Sequence, residues 1–523
     1  MPGLHEGRRS GTRAARGKPG LQAPLPTGPC LVLQRMSQNR AVPLGLLRDM
    51  KRLQKPDFER TDLLPPRLED WAPPHHPVRF VRSFVQELDL EALGFKMPSN
   101  EQGGSVLDPA CLLSVWLFCW MERIRSLRQM ERACLQLLPV MWLCGGLSPD
   151  KNSLWRFFLA NRVPLRKLLS VQVRLAASAG MVGWALHALD GTKLQAASSG
   201  ETALWRKRLE DKLKRLEHLT DLELARLEAD ARQDVEPSFA IPEHFQSPQA
   251  QQAFVRAFLQ RKLATFDHTD RTVLHPDEPE ACGVKARSFA GLGYNPQILV
   301  DAQSDLVVTT DVVASSNDVE QLAPMLCKLH EEQGRVADAT VADKGYDSTE
   351  QMARAEEQGF NAIVSLKLDP NPFAKNRFEY DPERNEYICP QKRRLPLLAQ
   401  HRPTKDKPAG RALYRCDPKG CPVRAQCTKS PSGRTVYRYG NEAVRERMAT
   451  KTSSVEGKAL LRRRKEVVEH KFGQLKQNEG FRRFHRRGLE NVKTEWSLAC
   501  CASNVWKIYR KKEAERKAGE KAA

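Results

Sequence analysis

The sequence predicts an α/β fold, a mixed sheet flanked by helices, with an all-helical segment ahead of it. Three observations lead there. Between residues 296 and 366, β-rich runs and amphipathic helical stretches alternate across short turns. A further strand-like run, "VGWALHAL" at 182–189, stands well upstream of them. Before residue 176 the apolar periodicity is helical, punctuated by Pro and Gly.

The elements follow in chain order. Residues 1–60 are basic and rich in Gly and Pro, with no apolar signal segment, and read as a disordered extension. Asp108-Pro109 opens a helical stretch over 112–120 and 124–138 that Pro139 breaks. After the turn at Gly145-Gly146, Asn152 or Ser153 caps a helix over 154–159. The strand at 182–189 ends in Asp190-Gly191-Thr192. Residues 201–234 read as a charged amphipathic helix or helical hairpin, and a polar linker runs on to about 265. The runs 296–302 and 306–313 form a hairpin around Gln303-Ser304-Asp305. Asn317 with Glu320 reads as a capping box for a helix ending at Gln333, which Gly334 stops. A strand over 337–342 closes on Asp343. Ser348 with Gln351 then caps a helix ending at Gly359, and 362–366 is one more strand.

The formal charge is +21. It gathers in Arg462-Arg463-Arg464-Lys465, Arg482-Arg483, Arg486-Arg487 and Arg510-Lys511-Lys512, which favours a polyanionic partner, most simply nucleic acid. A membrane surface is disfavoured, because no basic helix has a clear apolar opposite face. No run reaches the roughly 18–20 apolar residues of a span, and 111–120 reads as a buried core helix. Thirteen cysteines without a secretory signal point to reduced thiols or metal ligands in the cytoplasm.

Two carboxylates carry the chemistry. Asp190 and Asp343 each end an apolar strand and precede a glycine-containing turn. Adjacent strands bring two such side chains within reach of one ion, and hard oxygen ligands suit Mg²⁺ or Mn²⁺. Taken singly, each Asp also reads as a turn starter. In the helical run "EVVEHKFGQLK" at 466–476, Glu469 and Lys476 lie on nearly one face, with Phe472 between them as an apolar anchor. "GFRRFHRRG" at 480–488 sets two aromatics among four arginines, suited to gripping phosphates and stacking on unpaired bases.

At these residues the sequence resembles the DDE transposases of bacterial insertion sequences, which carry an RNase-H-like catalytic domain. The matching features are "DGTKL" at 190–194, "GYNPQILVDA" at 293–302, "ADKGY" at 342–346 and "EHKFGQLKQNEGFRRFHRRGLENV" at 469–492. "ERACLQLLPVMWLCGGLSPDKNSLWRF" at 131–157 is similar to that family's N-terminal helical domain. The resemblance implies Asp190, Asp343 and Glu469 as the catalytic triad holding Mg²⁺ or Mn²⁺, with Lys476 one helical face beyond the glutamate. Many relatives have a tyrosine and an arginine in the turns before that glutamate. Here Arg464 or Lys465 serves as the basic residue, while Leu461 or Arg462 stands at the tyrosine position. That departure bears on a DNA-backbone contact and not on the metal site.

The implied reaction is cleavage at transposon ends followed by strand transfer into target DNA. The implied partners are double-stranded DNA, as terminal inverted repeats and target, and a second copy of the chain in the DNA complex. The basic residues expected to hold DNA are Arg464, Lys465, Lys476, Arg482, Arg483, Arg486 and Arg487, in a bacterial, nucleoid-associated setting. Two rival readings stand beside it: a DNA-binding protein of transposase origin that no longer cuts, and a metal-dependent nuclease without strand transfer.

Cys389, Cys416, Cys421 and Cys427 lie in a basic, Pro-containing stretch before the Glu469 helix. Four thiolates can close a tetrahedral Zn²⁺ site there, and the alternative is free structural cysteines. Cys500-Cys501 reads as core, and His187 and His470 read as structural. The expected organisation is a disordered basic extension (1–60), a helical DNA-binding domain (61–175) and an RNase-H-like core (176–367) with a helical insertion (201–265). A Cys-rich insertion (368–455), the last catalytic helix region (456–510) and a basic tail (511–523) complete it.

Overall fold

The computed structural model describes residues 67–97, 107–198, 203–217, 248–267, 271–286, 289–402 and 410–522. The expected extension at 1–60 and the middle of the charged insertion at 218–247 lie outside the described residues.

Six helices come first: α1 (Pro77–Gln86), α2 (Pro109–Met121), α3 (Leu127–Gln136), α4 (Leu138–Leu143), α5 (Lys151–Ala160) and α6 (Arg162–Ser178). Asp108 accepts from the Ala110 amide and Pro109 fills the first turn of α2, as the sequence signals. Helix α2 is apolar all round and is buried all round. Pro139 opens α4 within its first turn as well as ending what precedes it. The cap of α5 is Asp150, which accepts from the Ser153 amide at 2.8 Å; it is neither Asn152 nor Ser153. None of the described helices is long and apolar enough to cross a membrane.

The sheet is built from β1 (Leu186–Gly191), β2 (Leu194–Gln195), β5 (Cys282–Lys285), β6 (Ala290–Asp301), β7 (Val307–Val313), β8 (Ala339–Ala342) and β9 (Ala362–Val364), β3 (Leu204–Trp205) and β4 (Val273–Leu274) forming a separate pair. Its main order is β7-β6-β1-β8-β9: β6 is antiparallel to β7 and β1, whereas β1, β8 and β9 are parallel. A β-meander continued by two parallel strands on its far side is the RNase-H-like arrangement. The first strand begins at Leu186 and not at 182. Its partner β6 ends opposite His187; upstream, the Trp184 and Ala185 carbonyls accept from the Asp338 and Ala339 amides, and the Gly183 amide bonds the Asp301 side chain.

One apolar core runs from the first helices through the sheet to α14 (Leu489–Ala522), which packs on α6 and β7. The expected border at 175/176 is therefore not a break in the core, and 66–523 forms one compact unit. The expected basic tail continues this helix to Ala522. Cys500 and Cys501 are buried within it, as read from the sequence.

The charged insertion begins with α7 (Arg206–Glu217). The stretch expected as linker contains α8 (Pro248–Ala264), packed on α7 through Leu209, Leu259 and Phe266. Pro248 occupies the start of that helix, where its missing N–H costs nothing, so a helix start looks like loop punctuation. Helix α9 (Leu322–Gln333) stops at Gly334, which has φ +72°. The expected capping box is absent: Gln321 precedes α9 with no side-chain bond, and Asp318 is drawn elsewhere. Ser348 caps α10 (Thr349–Glu357) through the Gln351 amide, as expected.

The Cys-rich insertion is a five-stranded antiparallel meander: β10 (Glu379–Asp381), β11 (Glu386–Ile388), β12 (Arg394–His401), β13 (Arg411–Arg415) and β14 (Thr435–Tyr439). Its own core is small: Phe378, Tyr387, Leu395, Tyr414 and Val436. A short helix, α11 (Arg424–Cys427), links the last two strands. Helices α12 (Glu442–Ser453) and α13 (Val455–Gly473) return to the main sheet, α12 against β9 and α13 across β1, β6 and β8.

Candidate active site

Parallel pairing of β1 with β8 sets Leu189 opposite Ala342, so the next residues, Asp190 and Asp343, stand side by side at one end of the sheet. Asp190 Oδ1 accepts from the Gly191 amide at 2.8 Å, and Oδ2 takes the Arg464 guanidinium at 3.1 Å. Only 23% of the Asp190 side chain is exposed. Burial pushes its pKa up to about 6; Arg464 opposes this, and Asp343 and then Asp318 add to it. Asp343 caps the tight turn Lys344–Tyr346 by accepting from the Gly345 amide at 2.7 Å.

A third acid comes from outside the expected set. Asp318 Oδ1 accepts from Asn295 Nδ2 at 2.6 Å, Gln297 Nε2 at 2.8 Å and Lys193 Nζ at 3.1 Å. Asn295 and Gln297 are fully buried at alternate positions of β6, and Tyr346 donates to Gln297 Oε1. A floor of amides thus lies under the acids. Both flanking glycines are required by closeness. A Cβ on Gly191 would lie 2.6 Å from Asp318 Oδ1, and one on Gly345 would lie 2.8 Å from Asp343 Oδ1. The sequence signal for this floor is two amide residues, i and i+2, on one face of an otherwise apolar strand. "SSND" at 315–318 conceals the acid, because it looks like a helix start.

Glu469 is not joined to the aspartates. It sits on α13 with 67% of its side chain exposed, 4.0 Å from Lys465. Glu466 is 59% exposed and pairs with Arg463 at 2.9 Å. Lys476 lies within a π-helical turn over Gln474–Asn478 that follows α13, and it donates to Thr192 beside the acid pair. Among the described residues no three His, Cys, Asp or Glu side chains stand as a ready metal-binding group. The donor chemistry of the pair still fits a hard divalent cation: two carboxylates on neighbouring strand ends, each leaving an oxygen free of backbone bonds.

The expected DNA contacts divide. Arg464 faces inward to Asp190, while Lys465 is exposed. Arg482 is exposed and donates to the Lys476 carbonyl; Arg483 donates to the Ala197 carbonyl; Arg487 is exposed and pairs with Asp277 at 3.1 Å. Arg486 is corrected: its guanidinium is buried over Trp116 and Phe158 and donates to the Arg125 carbonyl, so it cannot meet DNA as placed. Phe481 and Phe484 are likewise core residues, packed on each other and on Trp496 and Tyr294, and are closed to unpaired bases. A cavity of about 1020 Å³ borders this loop, lined among others by Arg128, Lys151, Trp155, Arg483 and Arg487.

In the insertion, all four cysteines are half-buried and free. Cys389 Sγ and Cys416 Sγ accept from the Arg393 and Arg434 amides. Burial raises the Cys427 thiol; Arg434 opposes this, and the charges of Cys416, Cys421 and Cys389 add to it, but among the described residues the four form no ligand cluster. His187 is buried 3.7 Å from Asp301, and His470 Nδ1 lies 2.9 Å from Asp305.

The sheet thus sets an aspartate pair at the ends of adjacent parallel strands. Two family models match the chain: "Transposase DDE domain" at residues 388–509, and "Transposase domain (DUF772)" at residues 66–159. Together they support a DDE transposase of insertion-sequence type, with DNA transposition as its function. No curated protein matches the chain. A solved structure, the cryo-EM piggyBac transposase synaptic complex with hairpin DNA, is similar at 9% identity and a TM-score of 0.30. That match covers 84% of this chain and 76% of the other, and a score so low has no bearing on the fold.

Proposed function

We propose that the chain cuts DNA at transposon ends and joins those ends to target DNA by in-line attack on phosphodiesters. The observation that carries this reading is the pair Asp190 and Asp343 at neighbouring ends of β1 and β8. Asp190 and Asp343, with Glu469 brought in from α13, would hold Mg²⁺ or Mn²⁺. When bound, such ions supply charge neutralisation at the phosphodiester and favour attack by water or a 3′-hydroxyl. The chain's own groups do the rest. The amide floor fixes the acids' surroundings, and Arg464 neutralises Asp190 until a cation takes its place. Lys476 and Thr192 close the side of the site. The exposed cations Lys465, Arg482 and Arg487, with Arg483 at the cavity rim, hold the DNA backbone, while α1–α6 read the inverted repeats. Two copies pair on the two ends.

The Cys389, Cys416, Cys421 and Cys427 thiolates would hold Zn²⁺, which supplies cross-linking that a core of five residues lacks. The test of function is direct. Purified protein, Mg²⁺ or Mn²⁺ and the DNA flanking its own gene are incubated and the breaks are mapped. Breaks confined to the element's ends, with joined products, support the reading. Binding without breaks favours the non-cutting relative, and breaks without joining favour the plain nuclease.

A further inference from the structure

We propose that Lys193 contacts the phosphate of the strand being cut, and that Asp318 is a positioning residue that holds Lys193 there. This rests on the DNA-cleaving reading above.

The two residues form a partly buried ion pair, Nζ to Oδ1 at 3.1 Å and to Oδ2 at 3.3 Å, with 17% of the lysine side chain exposed. Lys193 lies three residues after Asp190 in the turn leaving β1. Thr192, the residue before it, receives Lys476. Two ammonium groups therefore flank the mouth of the aspartate pair, one from the turn after β1 and one from the π-helical turn after α13. Asp318 reaches in from the loop before α9 and rests against both glycine turns, close enough that a methyl on Gly191 would collide with it.

The bonding of Asp318 is uneven, and this shows what the pair is for. Oδ1 takes two buried amide donors, Asn295 Nδ2 at 2.6 Å and Gln297 Nε2 at 2.8 Å, besides the lysine. At Oδ1 the lysine is a third donor, whereas at Oδ2 it stands without an amide beside it. Conversely, an ammonium has three protons, and Asp318 uses at most two of them. Oδ1 keeps its two amide donors when Lys193 turns toward an incoming phosphate, so the cation is held without being consumed. A phosphodiester seated against Asp190 and Asp343 brings its negative oxygens to the rim where Lys193 stands. A preorganised cation in a partly desolvated site stabilises charge that develops there.

The experiment uses the full chain, Mg²⁺ and duplex DNA carrying the element's own end. Single-turnover cleavage and end-binding affinity are measured for wild type, Lys193→Met, Lys193→Arg, Asp318→Asn and the Asp318→Asn/Lys193→Met double variant. Lys193→Met should cut about 100-fold slower, the scale for removing one preorganised donor, with affinity changed less than about 3-fold. Lys193→Arg should recover most of the rate. Asp318→Asn should cut about 10-fold slower, and the double variant should be no slower than Lys193→Met, because Asp318 acts through the lysine. Melting temperature checks folding; should Lys193→Met not fold, Lys193→Gln takes its place. Wild-type rates in Lys193→Met, or losses that multiply in the double variant, overturn the proposal while the cleavage reading stands. A wild-type protein that makes no Mg²⁺-dependent cut overturns the reading itself and this proposal with it.

Discussion

Gly191→Ala places a methyl group in the tightest part of the site. The new Cβ would lie 2.6 Å from Asp318 Oδ1 and closer still to Gln297 Nε2. Neither neighbour can retreat easily. Gln297 is fully buried and bonded to Asn295 Oδ1 at 3.0 Å and to Tyr346, and Asp318 is held by Asn295 and Lys193. Overpacking of this kind costs about 1–3 kcal/mol, and each amide bond lost adds about 0.5–1.5 kcal/mol. A total of about 2–4 kcal/mol should lower the melting temperature by several degrees, because each kcal/mol moves a large domain by about 2–4 °C or less. The loss of cleavage should be larger than the loss of folded protein, because the groups displaced are those beneath the acid pair. Gly291→Ala, in the same sheet, is the control: its Cβ meets nothing within 4 Å. Differential scanning calorimetry and single-turnover cleavage are run on both variants. If Gly191→Ala melts and cuts like Gly291→Ala, the packed amide floor is not as described.

Other outcomes follow from the same geometry. Glu469→Gln should abolish cleavage, while Glu466→Gln should leave it near wild type. Both side chains are exposed, so neither melting curve should move by more than about 1 kcal/mol; a reversed cleavage pattern in parallel assays places the third acid one turn earlier. Metal analysis of freshly prepared, reduced protein should find about one Zn²⁺ per chain. The metal should disappear on replacing Cys416 and Cys421 with Ser, and zinc-free wild type makes the cluster plain core cysteines. Arg486→Met should lower thermal stability without changing the salt dependence of DNA binding. Arg487→Ala should weaken binding and reduce the salt slope by about one, as for a lost phosphate contact. Equal salt slopes in all three proteins would refute that division.

Much of this architecture is legible in the chain. The strand runs, the hairpin at Gln303-Ser304-Asp305, the Gly334 stop and the Ser348 cap are local signals, and the structure keeps them. So is the pairing of Asp190 with Asp343, because each ends an apolar run before a glycine turn. What escaped was decided by tertiary contacts. Asp318 lies within the stretch read as the Asn317–Glu320 capping box, and only the amides that β6 presents to it give it a place. Arg486 reads as a phosphate grip until Trp116 and Phe158 enclose it, and nothing in "RRFHRRG" distinguishes it from Arg487. Pro248 reads as linker because a proline at a helix start and one in a loop are locally alike. The strand at β1 starts at Leu186, later than the apolar alternation at 182 suggests, because its antiparallel pairing with β6 begins only at His187, which no periodicity encodes.

The central claim is that Asp190 and Asp343 form the cleavage centre of a DNA-processing enzyme, and paired conservative variants test it most directly. Asp190→Asn and Asp343→Asn are each assayed with wild type for Mg²⁺-dependent cutting of the element's own end and for affinity toward the same DNA. The account predicts that both variants bind within about 3-fold of wild type and cut at least about 100-fold more slowly, the scale of losing a group that stabilises the transition state. Cutting at near wild-type rate by both variants would contradict it.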